Sequence, residues 1–245
     1  MQQTDQPVAL ITGGAVRLGR IISLALAKKG YRLIVHYNSS EQEANSLAKE
    51  LDELSVDFTL VKADLSKSSG VQQLVEQLPP NFQQVNTLIN SAAVFPDDDH
   101  WGQCESSWDS IINVNARAPI VLAERLFTPN SLRTSTARNI INILDARVSR
   151  NQSERLVYRW SKALLWQATQ DLALKLAPQV RVNGIALGAM LPPPGCDDLH
   201  MRRLKQSIPL RQTGSTEDLI KALDYLITQT FVTGEVLRLD GGEFL

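Results

Sequence analysis

The chain contains little cysteine, no long apolar run and no marked excess of either charge. Cys104 and Cys196 are its only cysteines. Neither has a His or Cys partner at metal-ligand spacing, so we predict free thiols in a reducing compartment and no metal site. The first apolar run, 8–11, is far too short to cross a bilayer and the residues before it are polar, so we expect a cytoplasmic protein without a membrane span or signal peptide. A formal net charge of -1 gives no reason to expect a nucleic-acid or anionic-membrane surface.

Short apolar runs of strand length alternate with segments of helical periodicity along the 245 residues. The runs lie at 7–11, 32–36, 59–63, 87–89, 139–143, 180–183 and 235–239. Helical periodicity covers 21–27, 43–54 and 160–176, and Gly30 follows the first of these segments as a C-terminal cap. Continuous apolar strands separated by helices are typical of a parallel sheet covered on both faces. We therefore predict one α/β domain over residues 1–245, a doubly wound parallel sheet with helices on both faces.

A glycine-rich stretch follows the first strand and opens the first helix. A dinucleotide pyrophosphate needs a tight turn, close approach of the backbone and the positive end of a helix dipole, and Gly13, Gly14 and Gly19 meet these needs. Without other support, the same stretch is a strand-to-helix turn that binds no ligand. Arg17 stands inside this loop. Its cation faces either cofactor phosphates or a polar substrate, or else it is a surface arginine without a role.

The end of the second strand bears on the choice of cofactor. A site for NAD places Asp or Glu there to accept hydrogen bonds from the ribose 2′-hydroxyl. This chain has residues 36–40, His-Tyr-Asn-Ser-Ser, and its first carboxylate is Glu41. A carboxylate would repel a 2′-phosphate, whereas hydroxyls and amides donate hydrogen bonds to it. The sequence therefore favours NADPH.

Tyr158 and Lys162 open the third helical segment. A separation of four residues places both side chains on one face of a helix. A free tyrosine has a pKa of about 10, so a neighbouring cation eases its proton transfer near neutral pH. The Tyr-x-x-x-Lys pattern is common on solvated helix faces, but together with the glycine loop it predicts a catalytic pair.

Taken together, these motifs resemble the short-chain dehydrogenase/reductase family. Three further segments add to the resemblance: residues 90–93 after the fourth strand, 113–116 at the predicted start of another helix, and 239–242 near the end. The resemblance covers nearly the whole chain and implies a Rossmann-type NAD(P)-binding domain. It implies that Tyr158 donates a proton, that Lys162 assists it and binds the nicotinamide ribose, and that Asn115 supports a relay water. The implied cofactor-binding residues are Gly13, Arg17, Leu18, Gly19, His36, Tyr37, Asn38, Ser39, Ser40, Asp64, Leu65, Asn90, Ser91, Ala92, Tyr158, Lys162, Gly188 and Met190.

One departure from the family pattern is informative. Most members carry a catalytic serine thirteen positions before the tyrosine, where this chain has Asp145. A carboxyl there pairs with a nitrogen-rich substrate or passes a proton to a ring nitrogen, unless the chain is an inactive member with a degraded site. An aspartate at this position is found in the pteridine reductases and dihydromonapterin reductases. The resemblance to that subgroup extends to Arg17, to residues 36–37 and to residues 95–96, and implies that Arg17, Phe95, Asp145 and Tyr158 bind a pterin ring.

Other departures concern the cofactor and the substrate loop. Leu187 replaces a proline usual before Gly188, and Ser39 stands where many pteridine reductases carry an arginine for the 2′-phosphate. The proline-rich break at 192–195 lies inside a predicted mobile substrate loop at about 188–206. Relatives are usually tetramers, so the resemblance also implies a homotetramer.

Three hypotheses follow for the function. The first is an NADPH-dependent reductase of a dihydropterin, either dihydromonapterin or dihydrofolate, that sends a hydride to the carbon of a C=N bond. The second is an NADPH-dependent carbonyl or 3-oxoacyl reductase of the same family. The third is a sensor that binds NADPH without turnover, against which the intact Asn115, Tyr158 and Lys162 argue.

Overall fold

The computed structural model describes residues 6–96, 99–102, 105–127, 138–149, 153–192 and 198–245, without the side chains of 198–201. The strands are β1 (Val8–Thr12), β2 (Arg32–Tyr37), β3 (Phe58–Lys62), β4 (Thr87–Asn90), β5 (Arg138–Asp145), β6 (Val180–Leu187) and β7 (Val236–Leu239). The helices are α1 (Arg17–Lys28), α2 (Glu41–Glu53), α3 (Gly70–Glu76), α4 (Glu105–Ile112), α5 (Ala118–Leu126), α6 (Leu156–Leu176), α7 (Asp198–Ser207) and α8 (Thr216–Thr228). Short 3₁₀ turns occupy Pro80–Phe82 and Ala146–Ser149.

The seven strands form a parallel sheet in the order β3-β2-β1-β4-β5-β6-β7. Consecutive residues of each central strand point to opposite faces, and both faces are buried. In β1, for example, Leu10 packs in a core with α3, α5 and α6, whereas Ile11 packs in a second core with α1, α2 and α8. The predicted doubly wound sheet with helices on both faces is therefore confirmed.

The strand order places the functional motifs together. In this order β2 and β4 lie on opposite sides of β1. The connection that follows β1 and the connection that follows β4 therefore run in opposite directions from the carboxyl ends of these two strands. In open α/β sheets this divergence forms a crevice in which ligands bind. The glycine loop after β1, the segment after β4 and Asp145 at the end of β5 all lie at this edge.

The structure corrects the sequence analysis at two places. Residues 113–116 do not begin a helix, because 113–117 form one π-helical turn, called the π turn below, that joins the end of α4 directly to the start of α5. The second half of the predicted loop at 188–206 is helical, since α7 begins at Asp198. The predicted cap at Gly30 is confirmed: its φ is 81° and its N–H bonds to Ala27 O. The thiols of Cys104 and Cys196 lie outside the described residues, as does most of the break at 192–195.

Candidate active site

A cavity of about 630 Å³ opens at the carboxyl edge of the sheet. Every site residue predicted from the sequence lines it except Gly14, Asp64, Asn90 and Asn115. The lining residues from that prediction are Gly13, Arg17, Leu18, Gly19, His36, Tyr37, Asn38, Ser39, Ser40, Leu65, Ser91, Ala92, Phe95, Asp145, Tyr158, Lys162, Gly188 and Met190. The structure thus brings together segments that are up to about 180 residues apart in sequence, as the parallel topology requires.

The glycine loop forms one end of the cavity. Gly13 has a φ of 63°, and a Cβ at Gly19 would lie 2.0 Å from Gly13 O, so both positions require glycine. Val16, before the first turn of α1, makes no side-chain cap, which leaves the first N–H groups of the helix available to a ligand. This uncapped positive end of a helix dipole fits a pyrophosphate. Arg17 Nη2 donates to Pro192 O at 2.9 Å, so its exposed side chain reaches across to the segment after β6.

His36 holds the glycine loop against the neighbouring strand. Its Nδ1 accepts from Gly13 N–H at 3.1 Å, and Nε2 lies 3.1 Å from Ala63 O. Since Nδ1 is an acceptor, Nε2 carries the proton and donates to that carbonyl. Burial lowers the pKa of His36 from 6.5 to about 4, so the imidazole is neutral at pH 7. The side chain predicted to bind cofactor therefore also fixes the loop.

The residues after β2 line the far part of the same end. Asn38 and Ser39 are exposed, and Ser40 precedes α2 without making a side-chain cap. The next carboxylate along the chain, Glu41, accepts from Lys62 Nζ at 2.9 Å. Hydroxyl, amide and helix N–H donors therefore outnumber negative charges where a ribose 2′-phosphate would bind.

Tyr158 and Asp145 meet at the opposite end of the cavity. The Tyr158 hydroxyl donates to Asp145 Oδ2 at 3.0 Å, and Asp145 Oδ1 accepts from Arg147 N–H at 2.8 Å. Burial first, and the Asp145 charge second, raise the pKa of Tyr158 well above its ordinary value of 10.0. The phenol is therefore protonated throughout the neutral range and is able to act as a proton donor.

Lys162 lies beneath the tyrosine ring. Its Nζ is 5.9 Å from the centroid of Tyr158 and donates to Ile143 O at 2.8 Å. Burial lowers the pKa of Lys162 from 10.5 to about 8, and the negative charge of Asp145 opposes that shift. The ammonium form prevails at pH 7, so a cation stands next to the tyrosine as the sequence predicts.

Three of the predicted residues that do not line the cavity bond through their side chains to neighbouring segments. Asn115 accepts from Val94 N–H and donates to Val94 O and to Ser161 Oγ, so its amide joins the π turn to the segment after β4 and to α6. Asn90 donates to Asn142 Oδ1 at 2.7 Å. Asp64 accepts from the N–H and hydroxyl of Ser66, which lower its pKa.

A match to a model of the short chain dehydrogenase family covers residues 7–195. The chain belongs to this family. The FolM alternative dihydrofolate reductase 1 of Brucella canis, whose crystal structure is a complex with NADP, superposes with a TM-score of 0.88 at 30% identity, over 100% of this chain and 96% of that one. The dihydromonapterin reductase of Escherichia coli is 27% identical over 100% of both chains. The 3-oxoacyl-[acyl-carrier-protein] reductase FabG of Staphylococcus epidermidis is 27% identical over 97% of this chain and 98% of its own length.

These similarities confirm the predicted family, its doubly wound fold and its class, a nicotinamide-dependent oxidoreductase. They include both a dihydromonapterin reductase and a 3-oxoacyl reductase, so the substrate is a separate question. Among the described residues, no group of three or more His, Cys, Asp or Glu side chains is placed to bind a metal ion. No helix in the described part of the chain is long and apolar enough to cross a bilayer.

In this short-chain dehydrogenase, sequence reasoning missed the residues that surround the catalytic pair. Both carboxylate oxygens of buried Asp99 accept backbone N–H groups at the start of α6, from Val157 at 3.2 Å and Tyr158 at 2.9 Å. Arg155 stacks on Phe95 with its Cζ 4.0 Å from the ring centroid. Phe95 in turn packs edge-to-face with Tyr158, at 4.6 Å between centroids. Asp99 lies 59 residues before Tyr158, and no local pattern marks such a contact.

Proposed function

We propose that this protein is an NADPH-dependent reductase of a dihydropterin, dihydromonapterin or dihydrofolate, that forms the tetrahydro product. The observation that carries the proposal is the hydrogen bond from the Tyr158 hydroxyl to Asp145 Oδ2. Most members of the family place a neutral serine at this position. A carboxylate attracts the N–H groups of a pterin but repels the oxyanion that develops when a carbonyl is reduced.

The cavity fits NADPH as the cofactor. The uncapped start of α1 would bind the pyrophosphate, and Asn38, Ser39 and Ser40 would donate to the 2′-phosphate. Lys162 would bind the nicotinamide ribose. Bound NADPH would supply a hydride to the carbon of the C=N bond. The two similar Brucella structures are complexes with NADP, which supports this choice.

The chain's own residues would complete the reduction by delivering one proton to the ring nitrogen. Tyr158 is the donor because its raised pKa keeps the phenol protonated, and the Lys162 ammonium stabilises the phenolate that remains. Asp145 orients the hydroxyl and accepts hydrogen bonds from the substrate's N–H groups. The C=N bond thus becomes CH–NH, with the hydride on carbon and the tyrosine proton on nitrogen.

Phe95 and Arg17 would position the ring. Phe95 is 37% exposed at the cavity, and a flat heteroaromatic ring gains from stacking on such a side chain. Arg155 already covers one part of the Phe95 ring, so a substrate would use the remaining surface. Arg17 reaches the cavity from the glycine loop. Residues 188–206 are proposed to contact the substrate.

We also propose that the protein is a homotetramer located in the cytoplasm. Light scattering tests the oligomeric state, and cell fractionation tests the location.

The second candidate is a 3-oxoacyl or other carbonyl reductase, which the similarity to FabG favours. NADPH oxidation followed with dihydromonapterin, dihydrofolate, dihydrobiopterin and one 3-oxoacyl thioester distinguishes the two. We expect turnover with the dihydropterins. Turnover with the thioester alone would reject the proposal, and cofactor binding without any turnover would indicate a sensor.

Two variants test the assigned chemistry. Tyr158→Phe removes the proton donor and should lower kcat by about a hundredfold or more while NADPH still binds. A residual kcat above about a tenth of the wild-type value would exclude tyrosine as the donor. Asp145→Ser restores the residue usual in carbonyl reductases. It should slow dihydropterin reduction, whereas a carbonyl reductase should tolerate it.

A further inference from the structure

Arg147 occupies a fixed place beside the reacting groups. It lies in the 3₁₀ turn after β5, and its backbone N–H donates to Asp145 Oδ1 at 2.8 Å. The side chain is half-buried and lines the cavity. Within the part of the chain that the structure describes, its guanidinium makes no hydrogen bond and no ion pair. A half-buried guanidinium therefore faces the cavity with its donors unused.

The other cations around the cavity differ from Arg147 in this respect. Arg17 donates to Pro192 O and Lys162 donates to Ile143 O. Arg155 donates to Pro96 O and stacks on Phe95. The Cζ of Arg147 lies 5.8 Å from the centroid of the same phenylalanine ring. Arg147 is thus next to the surface on which the pterin is proposed to stack.

The chemistry of a guanidinium indicates which ligand it would bind. Its planar fork of donors matches a carboxylate in two parallel hydrogen bonds, and partial burial strengthens that pairing over a surface ion pair. Dihydromonapterin and dihydrobiopterin carry hydroxyl groups on their tails. Dihydrofolate carries the same ring with a p-aminobenzoyl-glutamate tail, which has two carboxylates. Only the folate type offers this cation an anionic partner.

We infer that Arg147 is a substrate-binding residue that pairs with a carboxylate of a folate-type tail. This inference rests on the proposed function, because it assumes that a dihydropterin ring binds between Phe95 and the cofactor. It assigns the substrate to the dihydropterins with an anionic tail, in preference to those with a neutral polyol tail.

Two other roles for Arg147 predict different behaviour. Among the described residues, one carboxylate oxygen of Glu243 has no hydrogen-bond partner, and Arg147 exerts an electrostatic effect on that carboxylate without forming an ion pair with it. If Arg147 only balanced the charges of Asp145 and Glu243, its loss would affect all substrates equally. If it bound the pterin ring itself, its loss would again be independent of the tail.

The experiment compares dihydrofolate with dihydrobiopterin as substrates of the wild type, Arg147→Gln and Arg147→Lys, at saturating NADPH. Arg147→Gln should raise KM for dihydrofolate about tenfold or more, because charge-assisted hydrogen bonds are lost, while kcat stays within about twofold. KM for dihydrobiopterin should change by less than about twofold. Arg147→Lys keeps the charge without the fork and should give an intermediate KM for dihydrofolate. Arg125→Gln, which changes an exposed arginine of α5, is the control and should alter neither value.

A binding measurement gives a second result that does not depend on turnover. p-Aminobenzoyl-glutamate, the free tail, should inhibit dihydrofolate reduction competitively, and its inhibition constant should rise about tenfold in Arg147→Gln. An equal change in KM for both substrates, or no change for dihydrofolate, would overturn the inference and leave the proposed function intact. A wild type that reduces only dihydrobiopterin would also overturn it. A wild type that reduces neither dihydropterin would reject the proposed function itself, together with this inference.

Discussion

Acidification should destabilise this fold through His36, whose neutral ring joins the glycine loop to Ala63. The Nδ1 atom accepts the N–H of Gly13, and a protonated ring has no acceptor to offer. Burial keeps the pKa of His36 at about 4 in the folded chain, against 6.5 for an unperturbed histidine. Between these two values the unfolded state binds more protons than the folded state. The contribution to stability is therefore complete above about pH 6.5 and is lost as the pH falls toward 4.

The size of the effect follows from the two pKa values. Their difference of about 2.5 units corresponds to about 3.5 kcal/mol, since one unit is worth about 1.4 kcal/mol. About 2 kcal/mol of this should be lost between about pH 7 and pH 5. The assay is urea unfolding of the wild type and His36→Gln across that range. The variant should start less stable, because a flexible glutamine amide replaces the rigid imidazole as the acceptor of Gly13 N–H, and the gap between the two proteins should close by about 2 kcal/mol at the acid end, since glutamine does not titrate.

His100→Gln is the matched control, because it replaces an exposed histidine on the segment between β4 and α4 and shows what the loss of a histidine elsewhere does. The affinity of the folded protein for NADPH should fall only near pH 4, where His36 itself becomes protonated in the folded chain, since the glycine loop forms part of the proposed pyrophosphate site. A gap between wild type and His36→Gln that stays constant within about 0.5 kcal/mol, or widens on acidification, would refute this reasoning.

Two further predictions concern the ends of the cavity. Ser39→Asp places a carboxylate in the segment proposed to bind the 2′-phosphate. It should raise KM for NADPH about tenfold or more and leave KM for NADH nearly unchanged. An unchanged ratio of the kcat/KM values for NADPH and NADH would contradict the assignment of this segment to the 2′-phosphate. Asp99→Ala removes both acceptors at the start of α6 and should lower the free energy of unfolding by about 2 kcal/mol, as well as kcat. Asp99→Asn keeps one acceptor, so its free energy of unfolding in urea should lie between those of the wild type and Asp99→Ala. An equal loss of unfolding free energy in the two variants would show that the two hydrogen bonds to Asp99 do not each stabilise the start of α6.

The position of the site could be predicted from the sequence because its motifs follow strands. Gly13 comes directly after β1, and Asp145 ends β5. In a parallel sheet all carboxyl ends meet at one edge, so residues that share this relation to their strands become neighbours. Tyr158 and Lys162 needed only the helical repeat of α6 in addition. Local periodicity and topology therefore account for most of the lining of the cavity.

The contacts that orient the catalytic pair could not be predicted in the same way. Asp99 bonds to α6 from an irregular segment, and Arg155 reaches Phe95 from a left-handed backbone conformation with φ of 50°. Neither relation leaves a periodic pattern. The π turn at 113–117 likewise has no pattern of its own, and it places Asn115 against Val94 and Ser161 rather than in the cavity. Sequence motifs indicated where Phe95 and Asn115 lie but not which atoms they contact.

The pairing of Tyr158 with Asp145 bears directly on the choice of substrate. An acceptor carboxylate raises the pKa of the phenol, which makes it a weaker acid than a tyrosine beside a serine. A weak acid needs a basic acceptor, and the nitrogen of a C=N bond is far more basic than the oxygen of a C=O bond. The same carboxylate is close to any oxyanion that forms there and would destabilise it. On the proposed function, Asp145 would lower the capacity of the site to reduce carbonyls while retaining its capacity to protonate nitrogen, and the substitution would be a specific adaptation rather than the loss of an active site.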